Sequence, residues 1–290
     1  MTFQPIPLDV LNDCPQDRFQ AVLGPVFENA PWVCDMVWHK RPFASLTMLH
    51  DAMMQALRAL EGDRLIAFLN GHPRLSPETL RKGTTAESTG EQTSAGLNAL
   101  DPETTGLLGQ LNDAYEARFG FPFILAVRNA SLETMLASFQ RRIGASPAAE
   151  REEALAEIRA ISWMRLLDRV TPATSGGLST HVLDTVRAAP AAGIGIELWK
   201  RLPSGNMECL ATHQTDQQGQ FATNGDWPVE AGDYEWHFDT PTYFARQGYA
   251  TVERTYLGKV RIAFSVWNPE EHYHVPLLLT PGSYTTYRGN

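Results

Sequence analysis

The chain of 290 residues is long enough for two domains, and its 43% hydrophobic and 20% charged residues are the balance of a globular protein. A formal net charge of −9 argues against nucleic acid as a general partner, because phosphate binding requires a basic surface. No apolar run suits a membrane span or a signal peptide, and the three widely spaced cysteines favour reduced thiols in a cytoplasmic protein.

Residues 1–170 have the periodicity of α-helices. Ser45 can cap a helix in which apolar residues recur at steps of three and four. The same pattern returns after Ser131 and after Ser146-Pro147, where a capping serine precedes a helical proline. We therefore expect an all-helical domain over 1–170.

The pattern changes after residues 171–177, whose sequence TPATSGG is rich in turn formers and predicts a linker. Beyond it, apolar and polar residues alternate with a period of two, for example over 194–198, 234–238 and 260–266. Such half-buried strands, separated by turns, favour a β-sandwich over 178–290. The expected fold is multidomain, all-α and then all-β.

The helical part contains four candidate site features. They are His72-Pro73 at the end of an apolar run, Ser88 with Glu91 and Gln92, the aromatic run 119–123, and Arg165 beside the apolar stripe of the last helix. Each also has a structural interpretation. His-Pro can mark a helix boundary, S-x-x-E can be a capping box, the aromatics can pack the core, and the arginine can extend to solvent.

These residues belong to a longer pattern that resembles the decarboxylases of 2-oxo-4-hydroxy-4-carboxy-5-ureidoimidazoline (OHCU). The matching stretches include Ala30-Pro31-Trp32, Lys40-Arg41-Pro42-Phe43, Gly71-His72-Pro73, Ser88-x-x-Glu91-Gln92 and Arg118-Phe119-Gly120-Phe121-Pro122-Phe123. The resemblance implies an all-helical fold and catalysis without a cofactor. It makes His72 and Glu91 catalytic and assigns substrate binding to Pro73, Ser88, Gln92, Phe121, Phe123, Ile124 and Arg165.

The β-rich part carries histidines in two segments, His181 in LSTHVLD and His272 with His274 in HYHVPLLL. On a strand, His272 and His274 share one face, opposite Tyr273. Two imidazoles with a guanidinium suit attack of water on an activated amide, because a neutral imidazole can take a proton and arginine can stabilise an oxyanion. The same histidines could be surface residues, or could bind zinc if further ligands were near.

LSTHVLDT, PAAGIGIEL and HYHVPLLLTPGSYTTYRG resemble the transthyretin-related 5-hydroxyisourate hydrolases. The resemblance covers about 178–290 and implies a transthyretin-like sandwich that forms a homo-oligomer, a dimer or a tetramer. It makes His181, His274 and Arg288 catalytic, and it assigns substrate contacts to Gln220, Tyr287, Gly289 and Asn290. Gln220 stands where the family usually has arginine, and Asn290 where it usually has serine.

The two implied reactions are consecutive, since hydrolysis of 5-hydroxyisourate yields OHCU and decarboxylation of OHCU yields (S)-allantoin. We therefore expect a bifunctional cytoplasmic enzyme of urate breakdown that acts on small molecules without metal or cofactor, with neither nucleic acid nor membrane as a partner. One alternative is an active decarboxylase fused to a transthyretin-like binding domain with weak or no hydrolase activity. Another is a metal-dependent cyclic amidohydrolase built on His272 and His274.

Overall fold

The computed structural model describes residues 3–82, 84–128, 130–202, 204–223, 229–249 and 255–289, without the side chains of 80–82. The chain divides into two compact units, Met1–Ala173 and Thr174–Asn290, and each surrounds its own hydrophobic cluster. The division falls within the segment expected to be a linker. The all-α and all-β prediction for the two parts is confirmed.

Helices build the first unit. They are α1 (Leu8–Asp13), α2 (Gln16–Leu23), α3 (Trp32–Val37), α4 (Leu46–Arg58), α5 (Gly62–Leu69), α6 (Pro77–Lys82), α7 (Ala86–Ser94), α8 (Pro102–Phe119), α9 (Leu132–Arg142) and α10 (Pro147–Leu167). The side chains of Ser45, Ser131 and Ser146 accept hydrogen bonds from the third residue of α4, α9 and α10, as the sequence predicted.

A small strand pair was not predicted for this unit. Strand β1 (Ile6–Pro7) pairs in parallel with β2 (Val170–Thr171), which joins the two ends of the helical unit. Thr171, expected in the linker, therefore belongs to this pair.

The second unit consists of two sheets. Its strands are β3 (Leu178–Asp184), β4 (Ala189–Pro190), β5 (Gly195–Arg201), β6 (Met207–Gln214), β7 (Gln220–Ala222), β8 (Gly232–Phe238), β9 (Val260–Val266), β10 (Tyr273–His274), β11 (Leu277–Leu279) and β12 (Tyr284–Thr286). One sheet has the order β10-β3-β11-β12, with β4 and β7 also paired to β3, and the other has the order β6-β5-β8-β9. Helix α11 (Thr240–Arg246), which the periodicity did not reveal, follows β8.

Strand alternation decides which side chains reach the surface of the first sheet. Along β3, Leu178 and Val182 belong to the buried core cluster, so Ser179 and His181 lie on the opposite face. Since β7 and β10 flank β3, their side chains on that face lie next to Ser179 and His181.

None of the helices in the described part of the chain is long and apolar enough to cross a membrane.

Candidate active sites

A cavity of the helical unit brings together most residues that the sequence singled out there. Its lining consists of His72, Pro73, Leu75, Ser88, Glu91, Gln92, Phe123, Ile124, Leu125, Val127, Ile161 and Arg165. His72 and Pro73 follow α5, while Ser88, Glu91 and Gln92 share one face of α7 because they are three and four residues apart. Phe121 does not line the cavity. It is buried with its ring 5.9 Å from that of Tyr115.

Arg165 of α10 is the centre of a buried charge network. Its Nε and Nη2 donate to the two oxygens of Glu91 at 2.9 and 2.8 Å, a bidentate pair. Its Nη1 donates to Glu28 at 2.9 Å, and its Nη2 lies 3.1 Å from Ser88 Oγ. Arg165 is 3% exposed, so it does not extend to solvent.

Glu28 is a site residue that the sequence analysis missed. It is 3% exposed and accepts hydrogen bonds from Ser88 and Thr85, each at 2.7 Å. Burial opposes ionisation, but hydrogen bonds from these two hydroxyl groups and the charge of Arg165 hold the pKa of Glu28 below its ordinary value. Its position two residues before Ala30-Pro31-Trp32 was the available signal.

The capping-box interpretation of Ser88 and Glu91 is wrong. The N-cap of α7 is Thr85, whose side chain accepts from the backbone N–H of Ser88. Ser88 lies inside the helix, and its hydroxyl donates to Glu28 instead. The side chains of Ser88 and Glu91, which the local pattern assigned to a cap, instead form tertiary contacts with Glu28 and with Arg165 of α10.

His72 is a neutral imidazole near neutral pH. Burial lowers its pKa to about 4, and the opposing charge of Glu28 offsets this only in part. Its Nδ1 is buried and has no hydrogen-bond partner among the described residues. The carboxylate of Glu91, which the resemblance makes catalytic, is bound by Arg165.

Residues 123–127 form one wall of the cavity, with Phe123, Ile124, Leu125 and Val127 in its lining. Arg142 donates to the carbonyl of Ile124 at 2.7 Å, and Glu157 accepts from the backbone N–H of Ala126 at 2.9 Å. The backbone amides of 121, 123, 124 and 125 donate to no described residue. They are therefore free to bind an acceptor.

In the second unit, a side chain of β3, one of β10 and one of the residue before β10 form one hydrogen-bonded cluster. Ser179 Oγ lies 2.7 Å from His272 Nε2 and 2.8 Å from His274 Nδ1. The expectation that His272 and His274 share a face opposite Tyr273 is confirmed, since Tyr273 is buried in the core. Partial burial and the two neighbouring imidazoles, His272 and His181, lower the pKa of His274.

His181 lies on the same face, directly across from Gln220 in the pairing of β3 with β7. Residues that face each other across two strands have side chains on the same side. His181 Nε2 is buried without a described partner, and Gln220 is exposed. The position that the family usually gives to arginine is therefore next to an imidazole.

The end of the chain lies against β10. Gly289 N donates to the carbonyl of His274 at 2.8 Å. Arg288 is exposed, donates to Glu271 at 2.7 Å and lies over the ring of Tyr273 at 4.8 Å, so within the chain it does not join the imidazoles. Tyr287 is also exposed, and Asn290 lies outside the described residues.

The described residues include no group of three or more His, Cys, Asp or Glu side chains that could hold a metal ion. The cluster of Ser179, His272 and His274 is linked by hydrogen bonds, and the buried cluster around Arg165 is an ion-pair network.

The two units define a fusion of two enzyme families. Residues 12–167 match the sequence model of the OHCU decarboxylases. Residues 178–289 match that of the HIUase/transthyretin family, in which HIUase stands for 5-hydroxyisourate hydrolase. The chain belongs to both families and is a bifunctional enzyme of urate degradation. Both resemblances seen in the sequence are confirmed.

Individual relatives match each half or the whole chain. The chain is 36% identical over 162 residues to the OHCU decarboxylase of Halalkalicoccus jeotgali, covering 56% of this chain and 90% of that protein. It is 39% identical over 122 residues to the 5-hydroxyisourate hydrolase of Halalkalibacterium halodurans, covering 40% of this chain and 99% of that protein. A crystal structure of (S)-allantoin synthase superposes on this chain with a TM-score of 0.78 and 30% sequence identity. The match covers 98% of this chain and 100% of that one.

Proposed function

We propose that the second unit hydrolyses 5-hydroxyisourate to OHCU and that the first unit decarboxylates OHCU to (S)-allantoin. The observation that carries the proposal is the cavity in which neutral His72 stands beside the buried pair of Arg165 and Glu91. Similarity over the whole length to a protein named (S)-allantoin synthase supports the pairing of the steps.

Decarboxylation of OHCU needs orientation, charge stabilisation and one proton. The carboxylate is attached to a carbon beside the imidazolone C=N and C=O groups. When the bond to CO2 breaks, its electron pair moves into this conjugated system, which the enzyme must stabilise while it protonates one face. We propose that the free backbone amides of Phe123, Ile124 and Leu125 bind the ring oxygens, and that Pro73, Phe123 and Ile124 pack on the ring.

His72 is the proposed proton donor. It is neutral in the free protein, because its pKa is about 4. An anionic substrate bound beside it opposes this shift, so His72 takes up a proton as the substrate binds. After CO2 leaves, His72 gives this proton to the neighbouring carbon that bears the ureido group and becomes neutral again. The hydroxyl proton moves to the ring nitrogen of the former C=N bond, so that the hydroxyl-bearing carbon becomes the ring carbonyl of allantoin.

Arg165 and Glu91 are the proposed substrate clamp. We propose that Arg165 pairs with the substrate carboxylate and that Glu91 accepts a hydrogen bond from the hydroxyl or the ureido N–H. Gln92 Oε1 is buried without a described partner and is available to a ureido N–H. Ser88, which contacts Arg165 and Glu28, holds the guanidinium in place.

For hydrolysis, His274 is the proposed base, with His181 beside it. The imidazole removes a proton from water, the hydroxide attacks the ring amide carbon, and the proton returns to the nitrogen as the C–N bond breaks. Arg288 is proposed to stabilise the oxyanion, with Gln220, Tyr287, Gly289 and Asn290 in contact with substrate. Since Arg288 points to Glu271 within the chain, we propose that this site is completed in a homo-oligomer, a dimer or a tetramer.

We further propose that both steps occur in the cytoplasm and need neither metal nor cofactor. Arg165 forms ion pairs with Glu28 and Glu91, and His274 forms a hydrogen bond with Ser179. Both activities should then survive prolonged chelation, and recovery of a lost activity on adding zinc would contradict this.

The decisive experiment generates 5-hydroxyisourate from urate in situ and follows absorbance and circular dichroism. His72→Ala should abolish enzymatic formation of chiral allantoin and keep the hydrolysis step, while His274→Ala should slow hydrolysis by about a hundredfold, the low end for loss of a general base. His39→Ala and His213→Ala, outside both clusters, are the matched controls. Wild-type optical activity in His72→Ala would refute the decarboxylase assignment.

One observation favours a second candidate function for the β unit, a binding domain with weak turnover. Gln220 offers a hydrogen bond without the charge of the usual arginine. A binding domain would retain ligand, and His274→Ala would leave the spontaneous rate of ring opening unchanged.

A further inference from the structure

A chain of hydrogen bonds leads from a backbone carbonyl to His274. The carbonyl oxygen of Gly176 lies 2.8 Å from His272 Nδ1. On the other side of that ring, Nε2 lies 2.7 Å from Ser179 Oγ, which lies 2.8 Å from His274 Nδ1. His272 and Ser179 have no part in the mechanism described above.

The donor and the acceptor of each of these hydrogen bonds follow from the bond between His272 and the Gly176 carbonyl. A carbonyl oxygen can only accept, so His272 Nδ1 carries the hydrogen, and in a neutral ring Nε2 then has the lone pair. That lone pair accepts the single hydrogen of the Ser179 hydroxyl. The hydroxyl oxygen must therefore accept from His274 Nδ1–H, which leaves the lone pair of His274 on Nε2.

Gly176 and the register of β3 with β10 hold these hydrogen bonds in place. A Cβ on Gly176 would lie 2.0 Å from the carbonyl carbon of Glu271, so only glycine lets this backbone approach the residue before His272. Ser179 of β3 is the register partner of His274 of β10. The three side chains therefore meet through the backbone pairing itself.

We propose that His272 and Ser179 are positioning residues of the hydrolase, which hold His274 as the Nδ1–H tautomer so that its Nε2 can take the proton from water. This inference rests on the proposed role of His274 as the base. A base with a free Nε2 acts only in this tautomer, so a relay that fixes it raises the fraction of active molecules.

Variants of the two residues test the relay by kinetics. In His272→Ala the Ser179 hydroxyl has lost its acceptor and can donate to His274 Nδ1, which moves the ring hydrogen to Nε2. Ser179→Ala removes the acceptor of Nδ1–H. Each should lower kcat for hydrolysis by roughly tenfold with a smaller change in KM, the size of one neutral hydrogen bond.

Because both changes break one relay, the double variant should be no slower than the slower single variant. His272→Gln, whose amide oxygen can accept from Ser179, should recover most of the rate. Ser265→Ala on β9, where the hydroxyl donates to Asp233, is the matched control and should match the wild type. The decarboxylation rate should be unchanged in all of them.

Nitrogen NMR of the imidazoles in the full-length protein at neutral pH, without substrate, reads the tautomer directly. Wild-type His274 should carry its hydrogen on Nδ1, and His272→Ala should move it towards Nε2. An Nε2–H tautomer in the wild type, or losses that add in the double variant, would overturn the relay alone. A wild-type hydrolysis rate in His274→Ala would overturn the assigned base and this inference together.

Discussion

Arg165 forms ion pairs with two carboxylates, those of Glu28 and Glu91, in a buried place. Glu28 and Glu91 are not equivalent partners. Glu91 forms the bidentate pair and lines the cavity, whereas Glu28 is not among the lining residues and is held by two hydroxyl groups. Glu28 is thus placed to orient Arg165 and Ser88 without touching substrate.

Glu28→Gln therefore tests whether Glu28 acts on decarboxylation by holding Arg165 in place. It removes a buried charge-assisted hydrogen bond to Arg165, which costs roughly 1.5–3 kcal/mol of the free energy of unfolding. Decarboxylation should slow by about tenfold, measured by circular dichroism, while hydrolysis is unchanged. Glu153→Gln, which breaks an exposed pair with Arg141, is the control and should have little effect on either. Equal behaviour of the two variants would remove Glu28 from the site.

Gln220 lacks the positive charge of the arginine that the hydrolase family usually has at this position. Of the cations in the β unit, Arg288 pairs with Glu271, and Arg201 interacts with the carbonyl of Gly205. Neither of them meets His181, which lies opposite Gln220.

Gln220→Arg should accordingly speed hydrolysis by up to about tenfold. A charge-assisted hydrogen bond contributes roughly 1.5–3 kcal/mol against about 1 for a neutral one, and about 1.4 kcal/mol corresponds to one decade. The initial rate of 5-hydroxyisourate loss measures the effect, and Gln218→Arg in the preceding turn tests for a general effect of charge. A slower Gln220→Arg would mean that another cation already acts there, for example one from a partner subunit.

At the level of elements, the pairing of the chain end with β10 places the backbone of Gly289 against the imidazole of His274. Gly289 forms an antiparallel bridge with His274. A Cβ on Gly289 would lie 2.4 Å from Cδ2 of the His274 ring, closer than van der Waals contact permits. Glycine is thus required by the approach of the terminal segment to the proposed base.

Gly289→Ala should displace either the ring of His274 or the terminal segment. We expect hydrolysis to fall by about tenfold or more, because small displacements of a catalytic group are costly, and decarboxylation to stay unchanged. Gly282→Ala is the matched control, since a Cβ there meets nothing within 4 Å. The same rate in both variants would show that the terminal segment does not constrain His274.

At the level of the whole molecule, the two units have separate hydrophobic clusters that share no residue. Each proposed site draws its described side chains from one unit, the first from 28–165 and the second from 176–289. Neither site therefore needs the other unit for its side chains.

Residues 1–173 and 174–290, produced as separate proteins, should each fold and catalyse one step. Mixed together they should restore the optical activity of allantoin from urate-derived 5-hydroxyisourate, because the intermediate can diffuse between them. The coupled assay with each piece alone and with the mixture measures this. An inactive mixture of two well-folded pieces would show that the sites depend on their connection.

Much of the candidate site could be read from the sequence because its residues stand in short motifs. His72 stands in one short motif, and Ser88, Glu91 and Gln92 stand in another. All four residues line the cavity. Glu28 could not be found in this way, since its bond to Arg165 joins residues 137 positions apart. Ser179 and His272 are 93 positions apart, and only the parallel pairing of β3 with β10 brings their strands together.

By itself the sequence determined the two fold classes, the helix starts at Ser45, Ser131 and Ser146, and membership of two enzyme families. These depend on periodicity, caps and motifs, which act over a few residues. The tertiary structure alone decided that Ser88 binds Glu28 rather than capping α7, and which nitrogen of His274 faces Ser179. The physical reason is that the direction and partner of a hydrogen bond are set by packing between distant segments, on which a local pattern carries no information.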